Sequence, residues 1–225
     1  MFDAIAGKYD FMNRFLSLGI DVIWRKKAIG LFKADKPQHL LDVATGTGDM
    51  ALLAAKMLHP HKITGIDISE KMLEIGRQKV KSYTGATQIE LLAGDSETIN
   101  FGSDMFGGVM VAFGVRNFEH LEQGLAEIWR VLQPGARLVI LEFSKPKWRI
   151  AKAFYELYMG KVAPQLARLF RQNKKAYQYL NDSAKAFPDR EKLVAILKSA
   201  GYSEPSFKPL SLGICCIYTG RKPMQ

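Results

Sequence analysis

The sequence predicts an α/β fold built on a mostly parallel sheet, and three observations predict it. Apolar, strand-like runs alternate with amphipathic helical patterns along the chain. One such run, Leu40-Leu41-Asp42-Val43, enters a glycine-rich turn, Ala44-Thr45-Gly46-Thr47-Gly48-Asp49, and the turn opens a helical pattern over Ala51 to Leu58. The chain closes on two strand-like runs, Ser206 to Leu210 and Gly213 to Tyr218, joined tightly through Pro209 and Gly213. A terminal hairpin added to five βα units implies seven strands with one antiparallel.

Composition narrows the class. With 225 residues and 48% apolar side chains, the chain suits one domain with a large core. It contains no apolar run of the roughly 18 residues that span a bilayer, and Met1 to Tyr9 lacks the apolar core of a signal peptide. The two cysteines, Cys215 and Cys216, are adjacent. On a strand they point to opposite faces, so a disulfide framework is excluded and a reducing cytoplasm is expected. His39, His59, His61 and His120 lack metal-site spacing, and no metal is expected. The net charge of +10 suits nucleic acid, an anionic membrane surface or no specific partner, and no Lys/Arg-rich run chooses among them.

Taken in order, residues 1–36 read as an amino-terminal helical cap. Met1 to Leu18 is rich in aromatics and Met, with Tyr9, Asp10 and Asn13 offering polar groups, and Asp21 to Phe32 has helical periodicity. The cap either covers a sheet face or closes a ligand site. After the glycine turn, Lys62 to Ile68 is the second strand. Ser69 is a plausible N-cap for a helix running to Lys81. Gln88 to Ala93 is the third strand and ends in Gly94-Asp95-Ser96. Asp104 to Phe113 is the fourth and leads into Gly114-Val115-Arg116-Asn117. Glu122 to Leu132 is a helix, Pro134-Gly135-Ala136 a turn, and Arg137 to Glu142 the fifth strand. Residues 149–186 read as a helical insertion over the substrate side. Within it, Arg149 to Gln172 interleaves aromatic and basic residues and is broken by Pro164. Such a stretch either packs as core, lies on anionic lipid or covers an apolar substrate. Asp189 to Ala200 is a last helix, stopped by Gly201.

The glycine turn is the centre of the chemistry. Gly46 and Gly48 let the backbone approach a ligand closely. Asp67, about 20 residues on at the end of the next strand, has the spacing of a ribose-diol acceptor. Gly46-x-Gly48-x-x-Ala51 satisfies the loose dinucleotide fingerprint, but Asp42 and Asp49 would repel a pyrophosphate. S-adenosylmethionine carries no phosphate, and its sulfonium and ammonium favour carboxylates. It is therefore the expected cofactor. Asp95 and Ser96, just past a strand end, suit the exocyclic amine of adenine. Arg116 and Asn117 lie across the switch point, where they face a substrate, unless Arg116 pairs with a carboxylate such as Glu119.

Longer motifs then match a known family. Tyr9-Asp10-x-Met12-Asn13, Ser17 and Trp24-Arg25 resemble the first signature of the ubiquinone/menaquinone biosynthesis C-methyltransferases. Arg130-Val131-Leu132-Gln133-Pro134-Gly135-Ala136-Arg137-Leu138 through Leu141-Glu142-Phe143-Ser144-Lys145-Pro146 resembles the second, and Phe113-Gly114-Val115-Arg116-Asn117 the loop after the fourth strand. The resemblance spans essentially the whole chain. It implies a Rossmann-like class I methyltransferase fold with a C-terminal antiparallel hairpin, and it places Thr47, Asp67, Asp95 and Ser96 at S-adenosylmethionine positions. The chain departs from the signatures in having Asp21 at or beside a usual histidine, Gln133 for lysine, Ala136 for a glycine, and Ala112 where some relatives carry serine.

The resemblance implies C-methylation of a polyprenyl hydroquinone, either demethylmenaquinol or a methoxy-benzoquinol precursor of ubiquinone. In that reaction Arg116 is expected to favour the phenolate, Asn117 to orient the ring, and Tyr9 to serve as relay or lid. The expected partners are the quinol, a peripheral membrane contact at the inner face and a second copy in a homodimer, with no nucleic acid. An RNA methyltransferase of this fold would carry an (Asn/Asp)-Pro-Pro-(Tyr/Phe) tetrapeptide after the fourth strand, which is absent here. A non-catalytic S-adenosylmethionine-binding protein is the remaining alternative.

Overall fold

A computed structural model describes residues 17, 19–147, 182–184 and 186–224. The described elements run α1 (Asp21–Gly30), β1 (His39–Val43), α2 (Asp49–Leu58), β2 (Lys62–Asp67), α3 (Glu70–Lys81), β3 (Gln88–Ala93), β4 (Phe106–Ala112), α4 (Leu121–Val131), β5 (Leu132–Phe143), α5 (Glu191–Ser199), β6 (Ser203–Leu210) and β7 (Cys215–Arg221). The seven strands form one sheet in the order β3-β2-β1-β4-β5-β7-β6. β1 to β5 pair in parallel, while β7 is antiparallel to both β5 and β6. The expected sheet with one antiparallel strand is therefore present, with β7 inserted between β5 and β6.

The period of two along each strand builds two cores. Leu41, Val43, Val109, Val111, Leu138 and Ile140 point to one face, against Leu125 and Ile128 of α4 and Leu193 and Leu197 of α5. Leu40, Ile63, Met110, Val139 and Leu141 point to the other, against Ala28 and Ile29 of α1 and Met50 and Ala54 of α2. Cys216 belongs to the first core and Cys215 to the second, as adjacent strand residues must. Both thiols are free and buried.

One element differs from expectation. Pro134-Gly135-Ala136 does not separate helix from strand, because β5 begins at Leu132. The pairing steps from Phe106↔Leu132 to Gly108↔Arg137, so the extra residues are held as an irregularity within the strand. Gly135 adopts φ +76° there, a conformation open to glycine. Elsewhere the expected elements appear with ends shifted by a few residues. Ser69 caps α3, its hydroxyl accepting from Met72 N at 3.4 Å. The expected insertion over 149–186 lies outside the described residues except for 182–184 and 186.

The chain goes from β1 outward to β2 and β3, then returns to place β4 on the other flank of β1. That reversal opens a crevice at the carboxyl ends of β1 and β4.

Candidate functional site

A pocket fills that crevice and extends over the ends of β2 and β3. Its floor is the glycine turn. Gly46 and Gly48 have φ values of +57° and +77°, and Gly48 N bonds Thr45 O at 3.0 Å to close the turn. Gly46, Thr47 and the preceding Thr45 line the pocket. Gly48, also expected at the cofactor, is not among the lining residues. It is instead the left-handed residue that starts α2, and a Cβ there would come within 3.2 Å of Leu91.

The carboxylates expected from the sequence converge on this pocket. Asp67, at the end of β2, accepts from Gly46 N and Ser69 N, both at 2.8 Å. Two backbone amides thus aim a carboxylate across the turn. Asp95 accepts from Glu97 N at 2.9 Å, which fixes the bend after β3, and Ser96 follows it into the lining. Asp42 is 1% exposed and accepts from Thr45 Oγ1 at 2.6 Å through one oxygen. Its other oxygen, Oδ1, is buried with no hydrogen-bond partner among the described residues. Burial pushes its carboxyl up to about 7, helped by the Asp67 charge and against the lowering influence of the Thr45 hydroxyl, the Arg25 charge and the Ala51 backbone N–H.

Asp49 also lines the pocket, but not as a bare charge. Lys79 of α3 reaches it at 2.8 Å and donates to Thr47 Oγ1 at 2.9 Å. Part of the repulsion expected toward a pyrophosphate is therefore neutralised. The balance of the lining still favours a cation. Asp42, Asp49, Asp67, Asp95, Glu97 and Glu119 face it, and Arg25 is its one cationic side chain among the described residues. S-adenosylmethionine fits this set better than a dinucleotide does. Asp67 can take a diol, Asp95 and Ser96 an amine, and Asp42 has a buried acceptor atom to offer a positive group.

Arg116 departs most from expectation. It is absent from the lining. Its guanidinium bonds Glu142 Oε1 and Phe113 O, each at 2.7 Å, and lies over the Phe143 ring. The Arg116 and Glu142 side chains are 3% and 0% exposed. A buried carboxylate on the neighbouring strand attracts the cation more strongly than an open pocket does, so the charge is turned behind the wall. The partner considered from sequence, Glu119, instead lines the pocket. Asn117 does face it, its backbone N–H donating to Gly114 O at 2.9 Å, and Ala112, Phe113 and Phe118 stand beside it. Tyr9 lies outside the described residues.

Sequence reasoning missed Arg25 and Lys79. Arg25 was legible in one respect. Asp21, Trp24, Arg25, Ala28, Ile29 and Phe32 follow helical spacing, and all are buried, so the stripe placed a basic residue inward. Asp21 accepts from Ser17 Oγ at 2.8 Å and lies 3.6 Å from Arg25 Nε. That contact gives the aspartate at this signature position a structural role. Among the described residues, no group of three His, Cys, Asp or Glu side chains could hold a metal ion.

Comparison with known proteins gives the family. The ubiE/COQ5 methyltransferase family matches residues 1–222. The chain belongs to that family. It is 44% identical to the demethylmenaquinone methyltransferase of Bacteroides fragilis over 99% of this chain and 91% of that one. It is 39% identical to the Thermus thermophilus protein of the same name, over 99% and 100%. It is also 44% identical to the ubiquinone/menaquinone biosynthesis C-methyltransferase UbiE of Geotalea daltonii, over 99% and 94%. Among solved structures, an S-adenosylmethionine-dependent methyltransferase from Thermotoga maritima superposes with a TM-score of 0.68 at 19% identity, covering 98% of this chain and 97% of that one. The CurJ carbon methyltransferase gives 0.59 at 17% identity, covering 82% of this chain and 48% of that one. These two show the fold. As a ubiE/COQ5 family member, the protein is an S-adenosylmethionine-dependent methyltransferase.

Proposed function

We propose that the protein methylates a ring carbon of a polyprenyl hydroquinone, with demethylmenaquinol as the acceptor. Full-length likeness to demethylmenaquinone methyltransferases carries this reading. The ubiquinone/menaquinone name of the Geotalea relative supports a methoxy-benzoquinol as the second acceptor to test.

Gly46 and Thr47 of the glycine turn hold S-adenosylmethionine from below, with Asp67 at the ribose, Asp95 and Ser96 at the adenine, and Asp42 at the cationic end. Gly48 sets the turn. The bound cofactor supplies an activated methyl group. The chain's residues prepare the acceptor. A phenolic hydroxyl ionises near pH 10, and the ring carbon is a far better nucleophile once it has ionised. Asn117 orients the ring hydroxyl, and Phe113 and Phe118 give the ring an apolar, water-poor wall. Arg116 acts from behind as a positioning residue. By clamping Phe113 O to Glu142 it fixes the loop that carries Asn117. Tyr9 supplies the relay or lid contact.

The quinol's prenyl tail lies in the bilayer. We assign Arg149 to Gln172, within the insertion over 149–186, to docking on anionic lipid and admitting that tail. Flotation with anionic vesicles at low salt should carry the protein upward, and a protein that stays with the soluble fraction would reject this assignment.

Methyl transfer from labelled S-adenosylmethionine in detergent, offered a reduced demethylnaphthoquinol and a reduced methoxy-benzoquinol, tests the function. Product from the naphthoquinol is expected. No product from either, with cofactor binding intact, would reject a quinol acceptor. Asp67→Ala should weaken S-adenosylmethionine binding, and unchanged affinity would reject its ribose role.

A further inference from the structure

We propose that Arg25 grips the α-carboxylate of S-adenosylmethionine, with Asp42 opposite it taking the α-ammonium. The inference rests on the reading of the pocket as the cofactor site and assigns its amino-acid end.

The strand order sets the direction. Asp95 and Ser96 follow β3, Asp67 ends β2, and Asp42 lies on β1. Strands are spaced by about 4.8 Å, so an adenosine laid from β3 across β2 delivers its amino-acid end over β1 and β4. Arg25 stands there, brought in by α1, which packs on the face of β1 that carries Leu40 and Asp42.

The chemistry of that corner is unusual. The Arg25 side chain is 10% exposed and lines the pocket, yet its buried Nε has no hydrogen-bond partner among the described residues. Its nearest carboxylate is Asp21 at 3.6 Å from Nε, on the same helix and already bonded to Ser17. The Phe113 ring lies 5.2 Å from its Cζ and fixes the guanidinium from one side. Asp42 Oδ1 is likewise buried without a well-formed hydrogen bond among the described residues, the Ala51 backbone N–H being the one further donor near that carboxyl. Burying a cation and an anion with unmet hydrogen bonds is strongly unfavourable, and pairing them directly would relieve it. They feel each other's charge but do not bond. A ligand carrying a carboxylate and an ammonium on one carbon satisfies both at once. The planar guanidinium fork matches a carboxylate in two parallel bonds. Arg116 cannot serve here, because its guanidinium is held by Glu142.

The test compares three ligands by calorimetric or competitive binding: S-adenosylmethionine, decarboxylated S-adenosylmethionine and 5′-methylthioadenosine. In Arg25→Met the affinity for S-adenosylmethionine should fall by about 10- to 100-fold, the scale of a charge-assisted pair. The other two ligands should change by less than about threefold, and Arg25→Lys should recover part of the loss. An equal loss for S-adenosylmethionine and its decarboxylated form would overturn the proposal and leave Arg25 a structural role. Unchanged S-adenosylmethionine affinity with a raised KM for the quinol would also overturn it, placing the cation at the acceptor. If the wild type binds none of the three, it is the cofactor reading of the pocket that fails. Should Arg25→Met not fold, Arg25→Gln takes its place, judged by the same ratio between ligands.

Discussion

At the scale of single residues, the charges around the pocket divide into those that face it and those that hold its walls. Arg116 and Glu142 hold a wall. Removing one partner of a pair this buried costs about 3–5 kcal/mol, because the other charge is left uncompensated. Arg116→Met should therefore lower the melting temperature markedly, and adding Glu142→Gln should restore much of it by removing the orphaned charge. Turnover should stay low in both variants while S-adenosylmethionine affinity holds, since the clamp on Phe113 O is lost in each. Turnover that recovers together with stability would show that the pair matters only for folding. Asp42 is a pocket charge. Its carboxyl is raised to about 7, mainly by burial, in surroundings that include Thr45, Arg25 and Asp67, with Asp49 and its partner Lys79 nearby. Because the folded value lies above the unfolded one, the stability this proton confers is complete in acid and is lost as pH rises through about 7. A cationic ligand favours the ionised form. Affinity for S-adenosylmethionine should thus rise up to about tenfold per pH unit below that value and level off above it. Titrations across this range should flatten in Asp42→Asn, and an identical slope in that variant would assign the dependence elsewhere.

At the scale of elements, α3 is the support the glycine turn stands on. Gly76 lets the helix approach so closely that an added Cβ would lie 2.7 Å from Leu91 Cδ1 and 3.0 Å from the Thr47 carbonyl carbon. Alanine would gain up to about 1 kcal/mol of helix propensity, but the overpacking, typically about 1–3 kcal/mol, falls partly on backbone that cannot step aside. Gly76→Ala should destabilise the protein slightly and weaken S-adenosylmethionine binding about tenfold as Thr47 is displaced. Calorimetry on the folded variant checks this, and wild-type affinity would show that the turn tolerates the shift. This support also marks what the sequence could reveal. β1 to β3 and their glycine turn were legible because alternation, turn chemistry and spacing are local, and so was the convergence of Asp42, Gly46, Thr47, Asp67, Asp95 and Ser96 on one pocket. The direction of Arg116 was not, since it depends on Glu142, which lies 26 residues away on the next strand. Lys79 was hidden for the same reason, its partner Asp49 being 30 residues earlier. Pro134-Gly135 read as a turn because local signals cannot tell a connection from an irregularity inside a strand.

At the scale of the whole molecule, Asp35 ties three segments together at the end of the sheet opposite the pocket. Asp35, in the connector between α1 and β1, bonds Arg137 of β5 and Arg221 of β7, each at 2.6 Å. Arg221 also donates to Gly135 O at 2.7 Å, so the bulge in β5 is pinned by the same cluster. One residue thus joins the helix that carries Arg25 to the two strands whose antiparallel pairing completes the fold. Burial raises the Asp35 carboxyl, but the hydrogen bonds and charges of the two arginines outweigh it and hold it below the usual value. A lowered carboxylate contributes stability that is present above its unfolded value of 3.8 and lost as pH falls through the folded one. Asp35→Asn should therefore lower the melting temperature at neutral pH, by about 3–6 °C if about 1.5 kcal/mol, the low end for one charged hydrogen bond, is lost. The difference from wild type should shrink in acid, where the wild-type carboxylate is itself protonated. S-adenosylmethionine affinity should change little, because the pocket lies at the other end of the strands. Thermal melting at neutral and acid pH, with cofactor titration alongside, separates the outcomes. A constant deficit at all pH values would mean that the arginines hold Asp35 by shape alone, and a loss of affinity would mean that α1 transmits the disturbance along its length to Arg25.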